Sequence, residues 1–269
     1  MLGPLRRLLY GFARPKLHGR AELDGFLASQ RLAYSCAKQI ARELREGWTE
    51  AQAARLLDVC LRDHGVSVFL HRPFAWFGER TRFDGMRGWR EFLPSTRVLR
   101  PGEAAILDVA PVYRGYSSDI GYAFSLGAHE GVEQGRRFLA ELRAEIPKLF
   151  AERGINGGLI CERIARKILD QDYAVVHHRY PGGVLGHRVH ALPESWRPTT
   201  FTPFGWSATQ KVLLSGVFPE LLNEEHRGEL GGAWAIEPHF GGAGFGVKFE
   251  EILVVDDEGP RWLSPETPW

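Results

Sequence analysis

The chain is poor in sulfur: its 269 residues include three cysteines and two methionines. Cys36, Cys60 and Cys161 contain no CxxC pair, which excludes a zinc ribbon and a disulfide framework. So few thiols, odd in number, suit reduced side chains packed in a core and a cytoplasmic setting. No apolar run reaches the roughly 18 residues that a spanning helix requires, so no membrane partner is expected. Neither sign of charge dominates. The net charge of +1 gives no global field for nucleic acid or an anionic membrane. Low-complexity segments are absent. The N-terminal stretch MLGPLRRLLYGFARPKLHGR is basic and lightly amphipathic, which suits a targeting sequence or a surface-binding arm, and it lacks a clear apolar core and cleavage site. Residues 1–27 are expected to form an arm, and residues 28–269 a single domain.

Hydrophobic residues make up 44% of the chain, enough for one substantial core, and 16 Phe and 8 Trp make an aromatic-walled pocket the expectation. Apolar residues recur at helical spacing from about Phe26 to Glu46, and Gly47 stops the run. Thr49 is an N-cap for a second helix to about His64. Ser67 to Leu70 reads as a short strand; Arg72 to Phe92 has no clear period. AAILDVAPVY and GYSSDIGYAF then form a hairpin about Arg114-Gly115. Two more helices are expected, from about Glu130 to Arg153 and Gly158 to Asp172, followed by a second hairpin in AWAIEPHFGGAGFGVKFEEILVV. Ahead of that hairpin lies a long insertion, Ser195 to Gly232, of the kind that is functional or disordered in a compact domain.

Each hairpin carries an acidic pair. A two-residue turn at Tyr113-Arg114 places Asp108 directly opposite Asp119, and a one-residue shift leaves them diagonal neighbours. Glu237 and Glu250 flank Gly241 to Gly244 in the same way. Cross-strand partners stand about 5 Å apart, and facing carboxylates repel unless a positive charge lies between them. Asp108 sits in Ile-Leu-Asp-Val-Ala, Glu237 in Ala-Ile-Glu-Pro, and Glu250 just before Glu-Ile-Leu-Val-Val. Charges in such apolar strands are costly unless paired or metal-bound. Four oxygen donors suit two cations roughly 3.5–4 Å apart. His187, among glycines between the hairpins, is a fifth candidate ligand, and His190 lies beside it. Arg188 favours a substrate carboxylate or phosphate.

Together these residues resemble the pita-bread metallopeptidases, the group of methionine aminopeptidase, aminopeptidase P, prolidase and creatinase, over about residues 28–258. The matching motifs are Gly47-x-Thr49-Glu50, Pro94…Leu99-x-x-Gly102, Leu107-Asp108, Tyr116-x-Ser118-Asp119, Gly186-His187, Ile236-Glu237-Pro238 and Phe249-Glu250. The resemblance implies an α+β pita-bread fold with a pseudo-twofold helix–helix–hairpin duplication. It also implies two divalent ions, bridged by Asp119 and Glu250 and completed by Asp108, His187 and Glu237, with Glu237 moving the proton. Mn or Fe is favoured for such donors, with Co and Zn as alternatives.

There are two departures. Where such peptidases carry a histidine, about three residues ahead of Pro94-Ser95, this chain has Glu91 or Phe92; His71 lies too early to align without a loop rearrangement. The usual second histidine, seven residues after His187, is replaced by Glu194, which leaves His190 as the substrate-side candidate. The expected function is a dinuclear metal-dependent hydrolase acting on a peptide or amide carbonyl, in a form compatible with a homodimer. The alternatives are a specialised metalloenzyme acting on a small metabolite and a binding module without catalysis.

Overall fold

The computed structural model describes residues 17–192 and 220–269. Helix α1 (Arg20–Glu43) begins ahead of the expected arm boundary, because Phe26 is already part of the core. Phe26 packs with Val189, Ala235 and Ile252, far away in sequence. Helix α2 (Glu50–Asp63) starts at Thr49 as the sequence indicates. Thr49 Oγ1 accepts from Gln52 N at 3.2 Å, and Gln52 Oε1 accepts from Thr49 N at 2.8 Å. Such a capping box satisfies two N–H groups that the first turn leaves orphaned, and a cap is typically worth about 1 kcal/mol.

The segment without a sequence period has its own structure. Strand β1 (Val68–Phe77) is longer than the expected one, and two short 3-10 turns follow at Gly78–Arg82 and Trp89–Phe92. Glu50, fully buried, organises this region. Its carboxylate accepts from Phe77 N at 3.0 Å, Arg80 Nε at 2.9 Å and Ser95 Oγ at 2.6 Å. Burying the charge is tolerated because a guanidinium and several donors meet it.

Strand β2 (Ala104–Tyr113) is the spine of the first sheet, with β1 on one side and β3 (Tyr116–Ser117) and β4 (Ile120–Ser125) on the other. Helices α3 (Glu130–Phe150) and α4 (Gly157–Leu169) open the second half at nearly the expected places. There follow β5 (Ala174–Val175), β6 (Gly186–Arg188), β7 (Leu221–Leu222), β8 (Gly232–Ile236), β9 (His239–Gly242), β10 (Phe245–Lys248), β11 (Glu251–Asp256) and β12 (Gly259–Trp262). They form a five-stranded sheet, β12-β11-β8-β6-β7, and a three-stranded one, β10-β9-β5. The order helix, helix, hairpin thus occurs twice. Most of the expected insertion, residues 193–219, lies outside the described residues.

Both hairpin turns are visible in the registers. The first turn is at Arg114-Gly115, with φ of 52° and 84°, a backbone that suits a tight right-twisted hairpin. That is one residue beyond the Tyr113-Arg114 turn, so Asp108 pairs with Gly121 and Asp119 becomes its diagonal neighbour. The second hairpin matches the expected register. Glu251 pairs with Ile236 on one side and Lys248 with His239 on the other, which sets Glu237 opposite Glu250. The two halves meet here, where Tyr122 bridges Phe249. Among the described residues no helix is long and apolar enough to cross a membrane. The three cysteines are free and buried.

Candidate metal centre

The five acidic and imidazole residues expected from the sequence come together where the hairpins meet. Asp108 lies on β2, Asp119 between β3 and β4, His187 on β6, and Glu237 and Glu250 at the strand ends beside the second hairpin. All four carboxylates are buried. His187 Nε2 stands 3.3 Å from Asp119 Oδ2 and 3.4 Å from Glu250 Oε1. Its other nitrogen, Nδ1, lies 3.1 Å from the Arg188 carbonyl. A carbonyl only accepts, so Nδ1 carries the proton and Nε2 is the atom turned toward the carboxylates. That is the usual orientation of a metal-ligating histidine.

Ligand atoms that each bind one ion at about 2.0–2.2 Å stand roughly 3.0–3.5 Å from one another, so the 3.3 and 3.4 Å separations fit. Among the described residues the buried Glu250 Oε1 is faced by His187 Nε2 at 3.4 Å and forms no well-aligned hydrogen bond. A buried carboxylate oxygen left without a donor is costly and suits a cation. Asp119, His187 and Glu250 therefore fit a divalent ion on the structure's own terms.

Two residues were not expected here. The first is His71. Strand β1 lies beside β2, with irregular register between Phe69 and Phe74, and His71 pairs with Ala110. This brings the ring across to the acidic hairpin without any alignment of the loop that follows. His71 Nε2 stands 3.2 Å from both Asp119 oxygens and 3.4 Å from Asp108 Oδ1. Its Nδ1 is 2.9 Å from the Arg72 carbonyl, as His187 Nδ1 is to that of Arg188.

The second is Lys248. Its ammonium donates to Asp108 Oδ2 at 2.6 Å, Glu237 Oε2 at 2.9 Å and Glu250 Oε2 at 3.0 Å. The side chain is 1% exposed. Its stem runs over Gly121, where a Cβ would lie 2.3 Å from Lys248 Cε. Its Nζ faces the Tyr180 ring, 5.3 Å from the centroid. This is a built cradle rather than a stray side chain. The sequence carries a signal for it, because residues two apart in extended chain face the same side, and Lys248 precedes Glu250 by two.

The electrostatics follow from this packing. Burial works against charge on Lys248, but Asp108, Glu237 and Glu250 outweigh it and raise its pKa well above the ordinary value. Burial likewise opposes charge on His71, and Asp119 and Asp108 overcome it, pushing the imidazole up to about 9. Burial also raises Asp119, yet the two histidines hold its carboxyl well below the usual range. Glu237 is pushed up by burial and by its neighbour Glu250, in spite of Lys248.

Arg188 does not join the centre. Adjacent strand residues point to opposite faces, so a strand that presents His187 to the carboxylates turns Arg188 away. Its Nε donates to Glu220 at 2.7 Å and its Nη2 to the Glu229 carbonyl at 2.8 Å. The guanidinium also bonds the Gly231 carbonyl and stacks 3.7 Å from the Trp234 ring centroid. The expected substrate-binding role is corrected on that ground: Arg188 is committed to a buried structural pair. His190 is tied through its backbone, its N–H donating to Ser117 Oγ at 2.9 Å and its carbonyl accepting from Ser117 N at 3.1 Å. Glu194, the other position weighed, lies outside the described residues.

A family model described as metallopeptidase family M24 matches residues 24–257. No curated protein matches the sequence. Among solved structures, an X-Pro aminopeptidase from Thermotoga maritima is 17% identical with a TM-score of 0.70, covering 100% of this chain and 65% of that one. A prolidase from Thermococcus sibiricus is 17% identical with a TM-score of 0.69, covering 99% and 63%. A dipeptidase from Mycobacterium ulcerans is 19% identical with a TM-score of 0.65, covering 93% and 60%. The chain spans just under two thirds of the length of these structures, and at such identities the likeness is one of fold.

Proposed function

The chain belongs to metallopeptidase family M24 and has the pita-bread fold, and from that premise we propose that it is a metal-dependent hydrolase of a peptide or amide bond. The observation that carries this reading is the facing of Asp119 Oδ2, His187 Nε2 and the buried Glu250 Oε1 at 3.3 and 3.4 Å. Asp119, His187 and Glu250 would hold a divalent ion, which when bound would supply a water of lowered pKa and an electrophile for the substrate carbonyl. Mn or Fe is the favoured ion, Co or Zn the alternative, and two ions remain the finer form of the reading.

The chain's own residues supply the rest. Glu237 is the proton carrier, buried beside Glu250 and pushed up in pKa by both circumstances. His190, three residues past His187 and half-buried, is the substrate-side donor for a developing oxyanion. The catalytic unit is residues 28–269, extended by the start of α1, with a cytoplasmic location and possible dimer formation as further parts of the reading. A specialised enzyme for an anionic metabolite loses the residue that supported it, because Arg188 is committed to Glu220. A silent binding module would be expected to lose ligands, and all five lie together.

The test is elemental analysis of protein purified without chelator, followed by assays on Xaa-Pro and Met-peptides with Mn, Co or Fe. Metal-dependent turnover that a chelator abolishes is expected. Full metal loading with no hydrolysis of any peptide would sink the peptidase form of the reading.

A further inference from the structure

We propose that helices α1 and α2 form a separate metal site, remote in kind from the hairpin centre, which takes a thiophilic ion such as Zn(II), Cd(II) or Cu(I) on Cys36, Cys60 and His64. The inference stands apart from the hydrolase reading and uses none of its residues.

The chain has few thiols, yet two of them meet here. Cys36 lies on α1 and Cys60 on α2, and both are buried. His64 ends α2 four residues after Cys60, so the two share one face of the helix. The ligand atoms of Cys36, Cys60 and His64 all lie within 4.8 Å of one another. Cys36 Sγ is 4.0 Å from His64 Nδ1. Gln39, one turn on from Cys36, brings its Oε1 to 3.8 Å from Cys60 Sγ. Its Nε2 donates to Glu43 Oε1 at 3.0 Å, which fixes the amide with its oxygen toward the thiol. Each helix thus offers a pair of donors to one point between them. Donors about 2.0–2.3 Å from a tetrahedral ion stand roughly 3.5–3.8 Å from one another, so a small contraction of the side chains closes the set.

Two thiols and an imidazole select a different ion from the carboxylates of the hairpins. Sulfur favours Zn(II), Cd(II) and Cu(I), whereas Mn(II) prefers oxygen. His64 and Gln39 are exposed, so the ion enters from solvent without crossing the core. His64 Nδ1 lies 2.8 Å from the Cys60 carbonyl and donates to it. Binding moves that proton to Nε2, where water accepts from the exposed ring. Each thiol gives up its proton to become a ligand, and these protons leave with every ion bound. The ion ties α1 to α2, and α1 in turn holds the Glu250 backbone through Tyr34.

The test is a Cd(II) titration of reduced, chelator-stripped, full-length protein, followed by thiolate-to-metal charge transfer in the ultraviolet and by cadmium NMR. Carboxylates and imidazoles alone give no such band, and sulfur ligands shift the cadmium signal far from that of an oxygen site. A saturable band and a sulfur-shifted signal are expected on wild type. Cys60→Ser should lose about half of the band, since one thiolate of the pair remains. His64→Ala changes an exposed residue and should weaken binding by at least the roughly 10- to 100-fold that loss of a ligand-orienting group costs. His187→Ala should leave the band unchanged. No band on wild type, a cadmium signal without the sulfur shift, a full band on Cys60→Ser, or wild-type affinity in His64→Ala would overturn the proposal. Each of these leaves the hydrolase reading standing, because that reading fails only on the peptide assays.

Discussion

Lys248 and Glu250 stand two residues apart, and the ammonium of the first lies 3.0 Å from the carboxylate of the second. The chain thus carries a permanent positive charge inside its own candidate metal centre. The facing carboxylates that make a bare acidic pair unstable are partly neutralised by the fold itself.

Lys248→Met is therefore expected to destabilise the chelator-treated protein by about 3–5 kcal/mol, the usual cost of removing one partner from a buried ion pair. Excess Mn(II) should restore part of that loss, since a cation can again meet the carboxylates. Urea unfolding with and without metal measures both effects. A midpoint that does not move without metal would contradict the neutralising role.

Gly121→Ala tests the cradle. The added methyl would lie 2.3 Å from Lys248 Cε, so the lysine stem or the strand must shift. Overpacking of this kind costs about 1–3 kcal/mol. In a Lys248→Ala background the same change should cost much less, because the two sites are in contact and their effects do not add. A double-mutant cycle by chemical denaturation gives the coupling.

Much of this centre was legible from pattern alone, and the misses have separate causes. The second hairpin was placed correctly because its two ladders, Glu251 with Ile236 and Lys248 with His239 through Phe245 with Gly242, keep the same offset on either side of the candidate ligands. The first turns at Arg114-Gly115, one of the two placements the sequence offered, and so sets Asp108 and Asp119 on the diagonal rather than directly opposite. His71 was set aside because its distance along the chain does not match the family's loop, whereas its place is fixed by the pairing of β1 with β2. Lys248 was passed over because the positive charge demanded by the acidic pairs was assigned wholly to metal. Arg188 was misread by ignoring the period of two that separates it from His187.

Arg188 now makes a prediction about stability. Glu220 accepts from its Nε at 2.7 Å and also contacts His226 Nε2 at 2.7 Å. Burial raises the Glu220 pKa, but His226 and Arg188 outweigh it and hold the group below its ordinary value. A depressed carboxylate contributes stability above its unfolded pKa, about 4.3, and loses it as pH falls through the folded value. Glu220→Gln should thus be clearly less stable than wild type at pH 7, with the gap narrowing below about pH 4. A gap constant from pH 7 to pH 3 would contradict the ionic account.

Tyr34 tests support from a distance. Its hydroxyl donates to the Glu250 carbonyl at 2.8 Å and accepts from Glu250 N–H at 3.2 Å, so helix α1 holds the backbone of a candidate ligand. Tyr34→Phe leaves both groups buried without this partner, at about 1–3 kcal/mol. Metal affinity should fall by roughly 10- to 100-fold, as for other groups that orient ligands. Equilibrium dialysis with Mn(II) checks this, and unchanged affinity would confine Tyr34 to a packing role.

The Asp119 carboxylate, lying between His71 and His187, also constrains how the protein would acquire a metal ion. Its partners come from strands β1 and β6 in different halves of the chain, and Glu250 comes from near the end of the described structure. No short stretch of nascent polypeptide contains a complete ligand set. Contacts between distant parts of a chain form late and slow folding, so metal capture should follow docking of the halves rather than nucleate it. Refolding rates should be nearly independent of metal concentration, while unfolding slows as metal is added.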